Sequence, residues 1–156
     1  MHHFGNLAGL LAALAVEGFE LLGSEMDRQI ENAGGHSCAV KRLNAVGLGY
    51  VAFAARHPEH FRIMFKGKFK LDGPEGQKVN EAASAVSRRL TDALRDAYAQ
   101  ANGKELTPEQ LRVRAALAQS CVHGYAALGL DGAWSRPEAP QPAALLDLLT
   151  TALLQP

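Results

Sequence analysis

Side chains able to do chemistry are few in this chain, and their spacing matches no common catalytic motif. The sequence contains no glycine-rich phosphate loop, no HExxH, no GxSxG and no paired-carboxylate motif. Of the six histidines, His57 and His60 flank Pro58 and can lie close in space, yet the sequence offers no obvious third ligand. A turn and surface role is the simpler reading, so no metal, no cofactor and no enzymatic activity is expected. His123 stands among small residues. It reads either as a buried imidazole bonded to a backbone group, or as a ligand contact or pH-sensitive interface residue. Cys38 and Cys121 form no CxxC pair. They read as small core residues in a reduced compartment, with a metal or redox role as the alternative.

What remains is binding chemistry. Tyr50, Phe53, Phe61, Met64, Phe65 and Tyr98 supply apolar walls, with Tyr50, Tyr98 and His57 adding polar tips. Such a combination suits a lipophilic small molecule, although core packing accounts for each residue taken singly. The run Phe65-Lys66-Gly67-Lys68-Phe69-Lys70 interleaves bases with aromatics, a pattern seen in nucleic-acid contacts. A solvated lysine loop is the simpler reading, and the loop can equally flank a pocket entrance.

Composition narrows the classes further. The 156 residues fit one domain with a real core, and 47% of them are apolar, too many for a disordered chain. Sixteen basic residues balance sixteen acidic ones. That excludes a general electrostatic grip on nucleic acid, where a basic surplus supplies most of the affinity. No apolar run approaches the ~18–20 residues that cross a bilayer. Leu7 to Leu22 lacks a basic flank and is broken by Glu17 and Glu20, so it does not read as a signal peptide. A soluble, cytoplasmic protein with no membrane partner is expected.

The elements that must position these residues are helices throughout. Leu7, Leu10, Leu11 and Leu14 open a first helix running to Asn32, with Asn6 as cap and Gly34-Gly35 as stop. Ser37 can cap a second helix bearing Leu43, Val46, Gly47, Tyr50, Phe53 and Ala54. It ends at His57, before Pro58. Pro58 starts a short third helix with Phe61, Met64 and Phe65, and 66–73 is a loop. Gly73-Pro74 opens a long fourth helix carrying Val79, Ala83, Val86, Leu90, Leu94 and Tyr98, which Asn102-Gly103 ends. Thr107-Pro108-Glu109-Gln110 has the capping-box arrangement and starts a fifth helix reaching Leu130. After a proline-rich connector, a sixth helix begins near Ala143 and reaches Leu154.

The last two helices are apolar on more than one side, whereas a surface helix needs a single stripe. A symmetric homodimer, with two helices from each subunit forming a four-helix bundle, uses that excess. Leu117, Cys121, Gly124, Leu128, Leu145, Leu149 and Leu153 are the expected interface residues, with Gly124, Ala126, Ala127 and Gly129 allowing close approach. The alternative is that both helices are central in a larger core.

Three stretches together resemble the TetR-type transcriptional regulators of the WHG subgroup. Leu43 to Phe65, LNAVGLGYVAFAARHPEHFRIMF, is similar to the middle of such proteins. Cys121 to Gly132, CVHGYAALGLDG, is similar to the His-Gly segment, with Ser120, Cys121 and Val122 standing where the subgroup's aromatic is usual. His3 to Leu11 is similar to the junction of recognition and linker helices. The resemblance implies an all-α fold of about six helices, the last two forming a four-helix-bundle dimer interface. It implies that 1–6 is the remnant of a recognition helix, with His2 and His3 its DNA-binding residues, and that the helix-turn-helix is otherwise absent. Residues 7–156 would be the ligand-binding and dimerisation domain. The implied effector pocket is lined by Tyr50, Phe53, His57, Phe61, Met64, Phe65, Leu94 and Tyr98 and takes a small lipophilic effector. The implied function is a ligand-responsive regulator, a repressor, that reaches operator DNA only through the missing head. A headless dimeric binding module with no DNA binding of its own is the alternative.

Overall fold

A computed structural model of the chain describes residues 7–35, 38–66 and 73–156. Among the described residues six helices make up the fold: α1 (Leu7–Asn32), α2 (Ala39–Arg56), α3 (Pro58–Lys66), α4 (Pro74–Asn102), α5 (Pro108–Leu130) and α6 (Pro142–Leu153). No strand occurs among the described residues.

Local chemistry sets most helix ends. Gly34 and Gly35 take left-handed φ of 94° and 69° behind α1, and the Gly35 N–H donates to the Ile30 carbonyl at 2.8 Å. Gly103 does the same for α4 at φ 64°. Pro58 occupies the first position of α3 directly after the α2 cap residue His57. The capping box at α5 is complete: the Gln110 N–H donates to Thr107 Oγ1 at 3.2 Å, and the Thr107 N–H to Gln110 Oε1 at 3.0 Å. Two expected caps, Asn6 and Ser37, lie outside the described residues, as do 67–72 of the lysine loop. The residue ahead of α2 is Cys38, extended and making no side-chain cap bond.

The second helix is the axle of the fold and touches every other helix. Glycine makes this possible at Gly49, where a Cβ would lie 2.6 Å from the Met26 Cα on α1. Gly47 lies equally close to Leu146 of α6. The core that results includes Leu22, Phe53, Leu94 and Leu153, all essentially sealed from solvent. At 1.5 Å per residue the 29 residues of α4 span about 44 Å and back both α1 and α2.

Polar links then fix the helices' rotations. Arg89 on α4 forks onto Asp27 of α1, with Nε and Nη2 each 2.8 Å from a carboxylate oxygen. Glu25 of α1 is buried and receives hydrogen bonds from Arg28, Gln29 and Arg56, the last from α2 at 2.9 Å. Burial alone would raise its pKa, but these bonds and the two guanidinium charges outweigh it and hold the carboxyl below its ordinary value. Arg114 on α5 lies 5.0 Å over the Tyr98 ring and donates to the Leu153 and Gln155 carbonyls at 2.8 and 2.9 Å. It thereby caps the carbonyls at the α6 end, with Asn102 adding a bond to the Leu154 carbonyl at 3.0 Å.

Two expectations need correction. By length and composition α1 is apolar enough to cross a membrane, although no such run was expected from the sequence. Its charges sit mostly in its second half, which leaves an apolar window, yet the helix packs against α2, α3 and α4. Gly129 was expected to allow close approach of a neighbouring helix. It lies under Trp134 of its own chain, whose ring stacks on Tyr125 at 5.1 Å and whose Nε1 donates to the Tyr125 carbonyl at 2.8 Å.

Candidate functional site

Where the six helices meet they leave a cavity of about 160 Å³. Phe19, Leu22 and Met26 of α1 form one wall, Val46 and Tyr50 of α2 another, and Phe65 of α3 closes an end. From α4 come Val86 and Leu90, from α5 Val122, and from α6 Leu146, Leu149 and Leu153. None of the described residues lining it carries a formal charge. Its polar residues are Ser87, Gln119, Thr150 and Tyr50. Ser87 and Gln119 are exposed, so the cavity reaches the surface between α4 and α5. Thr150 is buried and turns its hydroxyl to Asn44, which in turn donates to Asp147 at 2.8 Å.

Beside this cavity stands a cluster of rings. The Tyr50 hydroxyl and His123 Nδ1 are 2.8 Å apart. The His123 ring stacks on Phe61 at 5.1 Å and meets the edge of Phe65 at 4.7 Å, and Phe65 lies 6.2 Å from Tyr50. Burial pushes the Tyr50 pKa far up and the His123 pKa down, so both groups are held in their neutral forms. A second, smaller cavity of about 110 Å³ shares Phe65 with the first and is lined by Phe61, Arg62, Phe65, His123, Leu130 and neighbours.

The eight residues expected at the pocket are thus separated by the structure. Tyr50 and Phe65 line the main cavity, and Phe61 and Phe65 line the smaller one. Phe53, His57, Met64, Leu94 and Tyr98 line neither. Phe53 and Leu94 are packed wholly into the core, and Tyr98 is the platform beneath Arg114. His57 lies against the Phe53 ring at 5.5 Å, 6.0 Å from His60, which meets Glu17 at 3.2 Å. Among the described residues no group of three or more His, Cys, Asp or Glu is placed to hold a metal ion. Cys38 and Cys121 are free thiols, both half-buried.

The polar lining residues Ser87, Gln119 and Thr150 were not among the expected pocket residues, and each interrupts an apolar helix face. Ser87 interrupts the apolar row Ala83, Leu90, Leu94, and Thr150 interrupts Leu146 and Leu153. Gln119 sits between Ala115 and Val122 in the same way. Ser87 and Gln119 are exposed, while buried Thr150 bonds to Asn44. His123 finds a side-chain partner on another helix, not a backbone group.

The expected dimer residues also divide. On α5, Leu117 and Leu128 are half exposed, at 50% and 49%, with Val113 in line with them. Gly124 lies in the same row, and a Cβ there would meet nothing within 4 Å. On α6, Leu148 is 72% exposed and Leu145 partly so. Leu153, however, is 1% exposed and belongs to the subunit's own core, and Leu149 faces the cavity. The helical turn at α6 rotates these two inward while Leu148 points out. His2 and His3, expected as remnants of a DNA-binding helix, lie outside the described residues.

A family model described as a tetracyclin repressor-like C-terminal domain matches residues 43–153. A solved structure of a protein of unknown function from Rhodococcus sp. RHA1 is similar over 97% of this chain and 73% of its own, with TM-score 0.74 and 25% identity. No curated protein matches the chain.

Proposed function

Because the chain belongs to the tetracyclin repressor-like C-terminal domain family, we propose that it is the effector-sensing and pairing part of a ligand-responsive transcriptional regulator, a repressor acting in the cytoplasm. The observation that carries this reading is the uncharged cavity built by all six helices, with its mouth between α4 and α5. A core with no task would close such a space, since empty volume forfeits packing contacts. Binding, not catalysis, is the chemistry on offer, because the walls are apolar and the few polar groups are a serine, a glutamine, a threonine and a tyrosine.

The pairing surface is the exposed apolar row Val113, Leu117, Gly124 and Leu128 on α5 together with Leu148 on α6. Two copies joined there form a four-helix bundle. Operator DNA would be reached through a head outside these 156 residues. The effector acts by binding one arrangement of the pair better than the other, and α1 passes that preference along because it packs on the cavity and leads toward the N-terminus.

The test uses small neutral aromatics. Toluene or benzene is expected to raise the melting temperature of the chain and to perturb the NMR signals of cavity methyls such as those of Leu90 and Leu146. Unchanged melting and unchanged methyl signals across a panel of one-ring compounds would sink the effector reading.

A further inference from the structure

We propose that Phe65 sets the ligand range of this site. It divides an inner chamber that takes one uncharged aromatic ring from an outer chamber where His123 receives a hydrogen-bond-accepting end. An elongated aryl ketone, ether or phenol is then held across both once the Phe65 ring turns aside. The inference rests on the reading of the inner cavity as the effector site.

Size comes first. A dry apolar cavity of about 150 Å³ accommodates benzene, and the inner chamber here is about 160 Å³. It therefore holds one ring and little more. The outer chamber is about 110 Å³, and Phe65 is common to both linings. Its ring packs against both the Tyr50 ring, 6.2 Å away, and the His123 ring, 4.7 Å away, and those two rings are themselves 6.3 Å apart. It belongs to the last turn of a nine-residue helix and is only half-buried.

The outer chamber also has a defined polarity. Tyr50 has one hydroxyl proton, and among the rings around it His123 Nδ1 is the acceptor within reach. In the proposed arrangement Tyr50 donates to Nδ1 and the imidazole proton sits on Nε2. His123 thus offers the outer chamber a donor, and a ligand that answers it must bring an oxygen acceptor. Arg62 and Asp131 at this chamber oppose one another in charge, and Arg62 is further held by Glu59 at 2.7 Å. Neither sign of ligand charge is favoured, so the class is neutral.

The experiment measures binding of toluene, biphenyl and 4-acetylbiphenyl to the 156-residue chain by calorimetry. Phe65→Ala joins the chambers and is expected to tighten 4-acetylbiphenyl about tenfold, with toluene no tighter. Adding His123→Phe should take most of that gain from 4-acetylbiphenyl while leaving biphenyl within about twofold, since the lost Tyr50–His123 bond is common to both ligands and only the ketone also loses its own bond. Phe65→Leu, a milder change, should show a smaller gain in the same order and serves if the alanine variant does not fold. Toluene binding retained with no gain for 4-acetylbiphenyl in either variant overturns the proposal, as does an equal loss for biphenyl on His123→Phe. Toluene binding to none of the proteins overturns the effector reading itself, and the division of chambers falls with it.

Discussion

The Tyr50 hydroxyl on α2 and His123 Nδ1 on α5 lie 2.8 Å apart, so one hydrogen bond joins the cavity wall to the helix that carries the exposed row Leu117, Gly124, Leu128. Residues 73 positions apart in sequence share it. His123 directly precedes Gly124, so the proposed sensing and pairing surfaces fall on successive residues of α5.

Tyr50→Phe removes the bond without changing the shape of the ring. The imidazole is then left half-buried without its partner, and unfolding stability should drop by about 1–2 kcal/mol. Urea unfolding is the measurement, with an unchanged m-value showing that the native state has kept its compactness. An unchanged midpoint would mean that the bond adds nothing to the fold.

Acid should weaken the protein in two stages. Burial depresses the His123 pKa in the folded state. The unfolded chain therefore takes up its proton first, and stability falls as pH drops below the ordinary imidazole value of about 6.5. Glu25 is depressed as well, despite burial, by Arg28, Gln29 and Arg56. Its contribution is present above the ordinary carboxylate range and is lost as pH falls through about 4. Thermal melts from pH 8 to pH 3 check both. A His123→Gln variant should lose the upper stage and keep the lower one.

Two glycines should respond oppositely to alanine. Gly49→Ala drives a Cβ into the Met26 backbone, where neither helix can yield cheaply, and should cost about 1–3 kcal/mol. Gly124→Ala meets open space within the subunit and should stabilise α5 by about 0.5–1 kcal/mol. If Gly124 lies at a close subunit contact, the same change weakens pairing. Denaturation and sedimentation of both variants separate the two effects.

Leu117→Glu and Leu148→Glu place charge on surface that the subunit's own core does not use. Each variant should keep its helical circular dichroism and sediment as a monomer where the wild type sediments as a dimer. Wild-type and variant chains sedimenting alike would remove these two residues from the pairing face.

Helix positions were legible because their causes are local. Gly34-Gly35, His57-Pro58, Gly103 and the Thr107–Gln110 box act through backbone bonds within a few residues, and the structure places helix ends at each. The pocket was legible only in part. Aromatic residues flagged its neighbourhood, yet Phe53, Leu94 and Tyr98 turned out to be packing, while Ser87, Gln119 and Thr150 line the space.

An amphipathic pattern tells which residues avoid water but not which neighbour they meet. The sequence by itself determined six helices and the surplus of apolar surface on the last two. Only the tertiary structure decided that Leu153 turns inward while Leu148 turns out, that Tyr50 finds His123, and that Phe65 lines two chambers. Each of those outcomes depends on the rotation and offset of whole helices, which are set by distant contacts such as Gly49 on Met26 and Arg89 on Asp27.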